Sequence, residues 1–518
     1  MNSITSSHKQ IEKVSSDNLV VGFDLLSNLT YMSVLSIGGL PREQVLVNCG
    51  KQQFKTAIFF RYVHLLANRV GLEYTRAFQL VSDKARASSV KSLLLRFAAS
   101  ISSGESEGGF IEQETKLEAE RYGNEYQRSV ENLRKWTDAY AAVLVSVTLI
   151  MVVSMVSSML GSLGENFIVL MAMTLFFITS IGVYVIYKVA PVEPITYDSP
   201  QGITPLRRRS RKLLLWLAPT GLVLAFLLAP QFGLLSGASL VFLIVGASLL
   251  PAGFFAFKDD SAVGKLDTEL PVFLRSIGNV AGATGVTLTR ALSGIDTRSM
   301  GSMAPHINRL HVGLTSQLPA RDCWEKFRGE TGSELTNRTT HMLVDGVELG
   351  GRADDVGNIC AGHALQITQL RASRQLTAST FSFLTLPMHA TMTFILVFVL
   401  EIVSNFNEKL AGISGELLDN SGGTVTTPAN LNVPPGISVP SGGDMSGGLD
   451  IFGSQDMTLI AYMIVLVIAI LTVANSLAPK FAAGGSRLKI VSFLSIMCII
   501  SGGILGSVPV LTSMLFDI

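Results

Sequence analysis

Seven long apolar segments constrain the fold of this chain more than any other feature. A helix needs about 20 apolar residues to cross the roughly 30 Å hydrocarbon core of a bilayer. Composition agrees, because 48% of the 518 residues are apolar and the mean hydropathy is +0.43. We therefore expect an all-α polytopic membrane protein with about seven transmembrane helices. The segments are Ala139–Leu160, Asn166–Val189, Leu213–Pro230, Leu234–Phe257, Thr380–Val403, Met457–Pro479 and Lys489–Leu515.

Basic residues flank these segments on one side of the predicted membrane. Lys and Arg precede the first and fifth segments, follow the fourth, and occupy the connections between the second and third and between the sixth and seventh. Because short cytoplasmic loops are enriched in Lys and Arg, we place these flanks in the cytoplasm of a multi-pass cell-membrane protein. The polar N-terminal segment has no apolar signal region. We therefore expect a cytoplasmic N-terminus and an external C-terminus.

Four regions follow from this topology. Residues 1–135 and 258–376 are two duplicated cytoplasmic helical-bundle domains. Residues 136–257 hold four transmembrane helices with a basic cytoplasmic linker at 190–212, and 377–518 hold three with an external flexible loop at 405–456. The loop is rich in Gly, Ser, Asn and Pro, which cannot bury a core. Beside a span, the run RRRSRK (Arg207–Lys212) favours a topogenic role over a nucleic-acid or lipid patch, so no nucleic-acid partner is expected.

The two cytoplasmic regions share an internal repeat. Residues 101–111 read ISSGESEGGFI and residues 347–357 read VELGGRADDVG, and the offset between Gly104 and Gly350 is 350 − 104 = 246. The same offset aligns further pairs in the same order: Gly39 with Gly285, Phe78 with Trp324, Phe97 with Leu343, and Ile101 with Val347. The sequence therefore indicates an ancient duplication of one helical module.

The glycine motif predicts a corner between two helices. Gly104 in the first copy, and Gly350 or Gly351 in the second, can adopt the left-handed conformation that ends a helix. Asp354 and Asp355 then fall in the first turn of the next helix, where carboxylates are favourable. A cation site formed by these two residues with Glu348 is the alternative, but helix capping already explains them, and no metal is expected.

A charged helix leads directly into the first and fifth spans. Glu112 precedes Lys116 by four residues and Glu131 precedes Lys135 by four, which is typical of an exposed helix. The stripe Val356, Ile359, His363, Ile367 and Leu370 continues in the same way toward the fifth span. We therefore expect each bundle to be continuous with a membrane helix, so that force on the bundle reaches the bilayer through a stiff rod.

No motif in the sequence indicates catalysis. GxxxxGK[ST], HExxH, GxSxG and EF-hand patterns are absent, and the cysteines at positions 49, 323, 360 and 498 have no metal-ligand spacing. We expect a protein that is not an enzyme and has no cofactor. A secondary transporter with large cytoplasmic domains is the alternative function, although only His389 lies well inside a span. A seven-helix receptor is disfavoured by the two cytoplasmic bundles.

Three consecutive motifs of the second copy together resemble the type II secretion F domain. They are GVTLTRAL (Gly285–Leu292), the following Trp-Glu-Lys-Phe helix, and LVDGVELGGRADDV before a span. The second copy matches over about 266–403, and the first matches more loosely over 18–160. Four spans between the copies and three after them are similar to the platform proteins of the archaellum or archaeal type IV adhesion pilus. The resemblance implies a membrane platform, acting as a homo-oligomer such as a dimer among membrane lipids. Its implied partners are a cytoplasmic hexameric secretion ATPase and the pilin or archaellin subunits.

Charged residues near the helix corners are the candidates for ATPase docking, since charge orients and accelerates protein association. They are Arg42, Arg290, Arg321, Glu348, Arg352, Asp354 and Asp355. Ordinary solvated corners would look the same, so these assignments are an expectation for the structure to locate.

Overall fold

The computed structural model describes residues 18–159, 165–199, 202–420 and 457–515. These parts contain α-helices, short 3-10 turns and two isolated bridges, Thr196 with Ser333 and Ser199 with Gly202, but no strand. The all-α prediction is confirmed. The helices are α1 Leu19–Ile37, α2 Arg42–Lys51, α3 Ala57–Val70, α4 Tyr74–Lys84, α5 Ser88–Ser103, α6 Glu107–Met159, α7 Glu165–Val189, α8 Pro205–Leu228, α9 Leu234–Thr284, α10 Leu288–Ala291, α11 Ala304–Thr315, α12 Ala320–Thr331, α13 Glu334–Glu348, α14 Ala353–Asn420, α15 Met457–Ala483 and α16 Lys489–Leu515.

Eight of these helices are long and apolar enough to cross a membrane. Seven overlap the predicted segments, and apolar side chains project outward from them, with Phe226 80% and Phe383 78% exposed. The eighth is α1, whose window is 78% buried inside the protein. Since α1 is enclosed by protein and carries the buried Asp24, we assign it to the bundle core. The described residues thus agree with seven lipid-facing helices.

Helix α14 continues to Asn420, whereas the sequence predicted a loop from residue 405. The stretch SNFNEKLAGISGELLD contains neither Pro nor a Gly-Gly pair, so a helix is compatible with it. The rest of the predicted loop, 421–456, lies outside the described residues.

The internal repeat recurs in the helix boundaries. Helices that begin at Tyr74, Ser88 and Glu107 are matched, 246 residues later, by helices that begin at Ala320, Glu334 and Ala353. The left-handed positions match too: Gly39 pairs with Gly285 and Gly104 with Gly350, all at positive φ. Gly71 pairs with Gln317, the one non-glycine residue at positive φ in the described residues, at +58°. Conserving this strained turn without glycine supports common ancestry of the two copies.

The two copies share one hydrophobic core. Helix α1 packs against α6, α13 and α14, and its buried Asp24 lies 2.7 Å from Arg338 Nη1 on α13. The Arg338 guanidinium also lies over the rings of Phe23 and Phe54, at 4.3 and 4.6 Å from their centroids. The ion pair and the ring contacts compensate the desolvation of Arg338. Sequence analysis predicted two bundles, and the structure joins them into one unit with a shared core, which we call the helical body.

Three helices run without interruption from this body into the membrane segments. They are α6 with 53 residues, α9 with 51 and α14 with 68. Continuity was predicted for α6 and α14, and α9 adds a third rod that carries Pro251 and Pro271. Helices α9 and α14 cross closely, because a Cβ at Gly278 would lie 2.6 Å from the Ala353 carbonyl oxygen. Helices α9 and α14 are therefore packed together at their ends farthest from the membrane segments.

Candidate functional site

The end of the helical body farthest from the membrane segments gathers several helix termini, and we call it the distal end. Helices α1 and α9 finish there, at Ile37 and Thr284, and α6 and α14 begin there. A Cβ at Gly38 would lie 3.2 Å from the Gly351 amide nitrogen, which places the ends of both copies side by side. From Ala353 to the predicted membrane entry at Thr380, α14 spans about 40 Å at 1.5 Å per residue. A partner that acts on the distal end would thus act far from the bilayer.

The glycine motif forms a tight corner at the distal end. Gly104 and Gly350 have φ values of +73° and +99°, whereas Gly351 has no positive φ. Gly351 is required for space instead, since a Cβ there would lie 2.7 Å from the Gly346 carbonyl oxygen. Its own amide donates to that oxygen at 2.9 Å, which closes the end of α13.

Three of the predicted docking residues form one ion-pair group at the start of α14. Arg352 Nη2 lies 2.7 Å from Asp354 Oδ2, and its Nε lies 3.4 Å from Asp355 Oδ2. The hydrogen bond from Arg352 holds the pKa of the Asp354 carboxyl below its usual value. The Arg352 side chain is 74% exposed, so this group is available to a partner.

Arg42 and Arg290 also lie near the distal end, on the first turn of α2 and on the short α10. Arg42 Nε donates to Glu107 Oε2 at 3.1 Å, and its guanidinium lies 5.7 Å from the centroid of the Tyr74 ring. Arg290 is exposed and has no carboxylate within 4 Å among the residues described. Arg42 therefore helps to fix the α6 corner, while Arg290 is free to contact a partner.

Arg321 and Glu348 line a cleft between the copies, which we call the inter-repeat cleft. It measures about 630 Å³ and lies between α1–α2 and α12–α13. Tyr31 Oη donates to Asp345 Oδ2 at 2.7 Å, and His341 Nε2 lies 3.4 Å from the same oxygen. Because Arg328 Nη1 can only donate to His341 Nδ1, at 3.1 Å, the His341 proton resides on Nε2. Burial lowers the pKa of His341 despite the nearby Asp345, so the imidazole is neutral at pH 7.

The structure thus divides the predicted residues into the distal end and the neighbouring cleft. Within the described ranges, no group of three His, Cys, Asp or Glu residues could hold a metal ion. The four cysteines are free and buried.

A buried network of charges at the membrane boundary was not predicted, and we call it the junction network. Arg207 Nε lies 2.9 Å from Asp259 Oδ2, and Arg371 Nη1 lies 2.7 Å from Asp267 Oδ2. Arg371 Nη2 is also 3.3 Å from Glu193 Oε2. The network joins the linker after α7, the start of α8, and the rods α9 and α14. It fastens the helical body to the membrane helices.

Sequence analysis assigned Arg207 a topogenic role within RRRSRK, but this side chain is only 2% exposed. Its neighbours Arg208 and Arg209 are exposed, as a topogenic run would be. One feature of the sequence pointed to the network. Asp259 and Asp267 lie eight residues apart on the same face of α9, and the other buried residues of that face are apolar. Buried carboxylates need partners, and cationic partners lay far away in the sequence.

A second polar cluster ties together four membrane helices. His389 Nε2 on α14 lies 2.8 Å from Ser501 Oγ on α16, and its Nδ1 lies 3.2 Å from Asn475 Nδ2 on α15. Tyr140 Oη on α6 donates to Asn475 Oδ1 at 3.2 Å. Interhelical hydrogen bonds of this kind hold membrane helices together. His389, the one ionisable group well inside a span, thus has a structural role.

Buried His363 leads to a testable pH dependence of stability. Burial and the nearby Arg338 and Arg371 lower the pKa of His363 from its ordinary 6.5 to about 3. Below pH 6.5 the unfolded chain binds a proton that the folded chain does not, so folding loses about 1.4 kcal/mol per pH unit from this residue. In His363→Gln this loss disappears. We expect a change from pH 7 to pH 5 to lower the thermal unfolding midpoint of the wild type, measured in detergent, more than that of the variant. A pH-independent difference would contradict the assignment.

The chain is similar to two archaeal proteins. It is 23% identical over 367 residues to "Flagella accessory protein J" of Methanococcus voltae, covering 68% of this chain and 65% of the relative. It is 21% identical over 356 residues to "Flagella accessory protein J" of Methanocaldococcus jannaschii, covering 67% and 63%. The alignments span less than two thirds of either relative. No family model and no solved structure matches the chain. The similarity confirms the predicted resemblance to archaeal platform proteins.

Proposed function

We propose that this chain, which resembles Flagella accessory protein J of archaea, is the integral membrane platform of an archaellum or archaeal type IV pilus-like assembly machine. A cytoplasmic hexameric secretion ATPase binds its distal end, and the ATPase cycle is coupled to insertion of pilin or archaellin subunits. The distal end and the inter-repeat cleft are cytoplasmic in this proposal, as the basic flanks of the spans indicate.

One observation carries the proposal: long unbroken helices connect the distal end to the membrane segments. Helices α6 and α14 contain no proline between the distal end and the predicted spans, and the proline within α14, Pro387, lies inside the membrane segment. A continuous, packed helix transmits a displacement along its axis, because its hydrogen bonds and packing resist bending. The absence of a phosphate-binding loop from the sequence fits a platform that is driven by a separate ATPase.

The distal end offers a charged surface suited to oriented docking. Exposed Arg290 and the Arg352 ion-pair group present both signs of charge near one corner. Such surfaces set the orientation and rate of association more than its total strength. The platform role is favoured over a secondary transporter because the one ionisable side chain well inside a span, His389, is hydrogen-bonded on both nitrogens.

A triple charge reversal tests the docking surface. Arg352→Glu with Asp354→Lys and Asp355→Lys exchanges the signs within the group and can keep its internal pairing. We expect binding of the secretion ATPase of the same assembly system to weaken about tenfold, the loss of roughly 1.4 kcal/mol. The measurement is a titration of the purified ATPase against the protein in nanodiscs.

The matched control exchanges the signs of another ion pair away from the corners, between exposed Arg309 and half-buried Glu330, whose atoms lie 2.7 Å apart. This control should bind the ATPase like the wild type. Equal affinity of wild type and triple variant, with both inserted in the membrane, would remove the distal end as the docking site.

A further inference from the structure

A cavity of about 380 Å³ opens where the helical body meets the membrane helices, and we call it the interfacial cavity. Its walls come from α9, α14, the linker after α7 and the connection between α15 and α16. Phe257, the last residue of the fourth predicted span, lines it, as does Lys489, the first residue of α16. The cavity therefore lies at the level of the lipid headgroups.

The charges that line the interfacial cavity leave an excess of cations. The lining holds four cations against three carboxylates, a formal excess of one positive charge. Arg371 pairs with both Glu193 and Asp267, and Lys489 Nζ lies 2.6 Å from Asp260 Oδ2. Two further lining cations, Lys265 and Arg374, have no carboxylate within 4 Å in the part of the chain that is described. A positive potential is thus left in the cavity for an anion.

Arg374 provides the second observation. Its side chain is buried, with 4% of the residue exposed, although it has no acidic partner. Nε donates to the Ala482 carbonyl at 2.9 Å and Nη2 to the Phe481 carbonyl at 3.2 Å, at the end of α15. Nη1 is buried and has no acceptor among the described residues. A charged donor that is buried and unsatisfied destabilises the protein. An oxygen of a bound anion would satisfy it.

We propose that the interfacial cavity binds the phosphate group of an anionic membrane lipid, with Arg374 and Lys265 as its cationic ligands. A lipid is favoured over free phosphate because apolar surface continues from the cavity toward the bilayer. Phe257 is 55% exposed, and Leu376, next to the lining residue Gln375, is 71% exposed. Basic pockets at the ends of membrane helices recognise lipid headgroups in this way. The lipid would contact both rods, α9 and α14, at the junction network.

Native mass spectrometry of the detergent-purified protein tests this assignment. Dioctanoyl phosphatidylglycerol and dioctanoyl phosphatidylcholine are added separately at matched concentrations. Glycerol phosphate and inorganic phosphate are then each added to the sample that holds phosphatidylglycerol. We expect one phosphatidylglycerol to be retained, and phosphatidylcholine to be retained less. Glycerol phosphate and inorganic phosphate should compete only at far higher concentration. Competition at equal concentration would overturn the lipid assignment and identify a site for soluble phosphate.

Variants at Gly264 separate binding from folding. This glycine lines the cavity on α9, and an added Cβ there meets nothing within 4 Å. Gly264→Ala should fold and bind like the wild type, whereas Gly264→Glu introduces a carboxylate without breaking the helix. We expect Gly264→Glu and Lys265→Gln each to lower phosphatidylglycerol occupancy about fivefold, the factor for about one basic contact.

Arg209→Gln is the control for loss of a cation at the membrane boundary but outside the cavity, and it should leave occupancy unchanged. Equal occupancy in Gly264→Ala and Gly264→Glu would overturn the proposal, as would equal retention of the two lipids. Neither result depends on Arg374, whose replacement also removes the cap of α15.

Discussion

Arg207→Met is expected to destabilise the protein strongly, while the same change at the adjacent Arg208 has little effect. Arg207 is 2% exposed and contacts Asp259 at 2.9 Å and Asp198 at 2.6 Å. It also donates to the carbonyl oxygen of Tyr197 at 3.0 Å. Methionine would leave the buried Asp259 with only the Thr204 hydroxyl, 2.6 Å away. Breaking a buried pair by removing one partner costs about 3–5 kcal/mol.

Thermal unfolding in detergent checks this prediction. Arg208→Met removes the same charge from an exposed position, and its effect should stay within about 0.5 kcal/mol. Arg207→Lys should fall between the two, because a lysine keeps the charge but cannot form the same fork of hydrogen bonds. Equal unfolding midpoints for Arg207→Met and Arg208→Met would show that the junction network does not fasten the body to the membrane helices.

Local patterns made the membrane helices and the repeat predictable. Apolar length identified the seven lipid-facing segments, and charged periodic stretches indicated that α6 and α14 continue into the membrane. The glycine corners and the 246-residue offset were visible because Gly104 and Gly350 have a backbone requirement that few residues meet. Each of these features is determined by neighbours within a few turns of helix.

Long-range contacts were not predictable in the same way. Two contacting pairs, Asp24 with Arg338 and Tyr31 with Asp345, each join residues more than 300 positions apart. The local sequence around each residue does not identify its partner. The shared core of the two copies depends on these pairs, so two separate bundles were the natural prediction. Arg207 was similarly hidden within a run of arginines, where only the fold distinguishes the buried one. Helix α1 shows the converse, since its apolar length would also suit a span, yet its Asp24 is paired inside the body.

The interfacial cavity and the rods meet at the junction network, which suggests why the boundary is built from charges. Apolar packing is less directional than charge-assisted hydrogen bonds, so these ion pairs fix the position of the membrane helices relative to the helical body more tightly than apolar contacts alone would. A lipid phosphate bound to Arg374 would extend this fixed geometry into the bilayer. Motion of α9 and α14 would then displace the bound lipid as well as the neighbouring helices.

Interrupting the rods at the membrane boundary should abolish filament assembly without removing the docking site. Ser379 on α14 and Asp138 on α6 are exposed and lie next to the predicted membrane entries. Proline at each position removes a helix hydrogen bond and clashes with the carbonyl four residues earlier, which costs about 3 kcal/mol and kinks the helix. The double variant Asp138→Pro with Ser379→Pro should therefore kink α6 and α14, neither of which has a proline between the distal end and its predicted span. Asp138→Ala with Ser379→Ala keeps the helices and serves as the matched control.

Counting surface filaments by electron microscopy in cells that carry each double variant, at equal membrane levels of the protein, tests the coupling claim most directly. We expect the alanine variant to assemble filaments at wild-type density. The proline variant should assemble essentially none while still binding the secretion ATPase in a pull-down. Wild-type filament density in the proline variant would contradict transmission through α6 and α14.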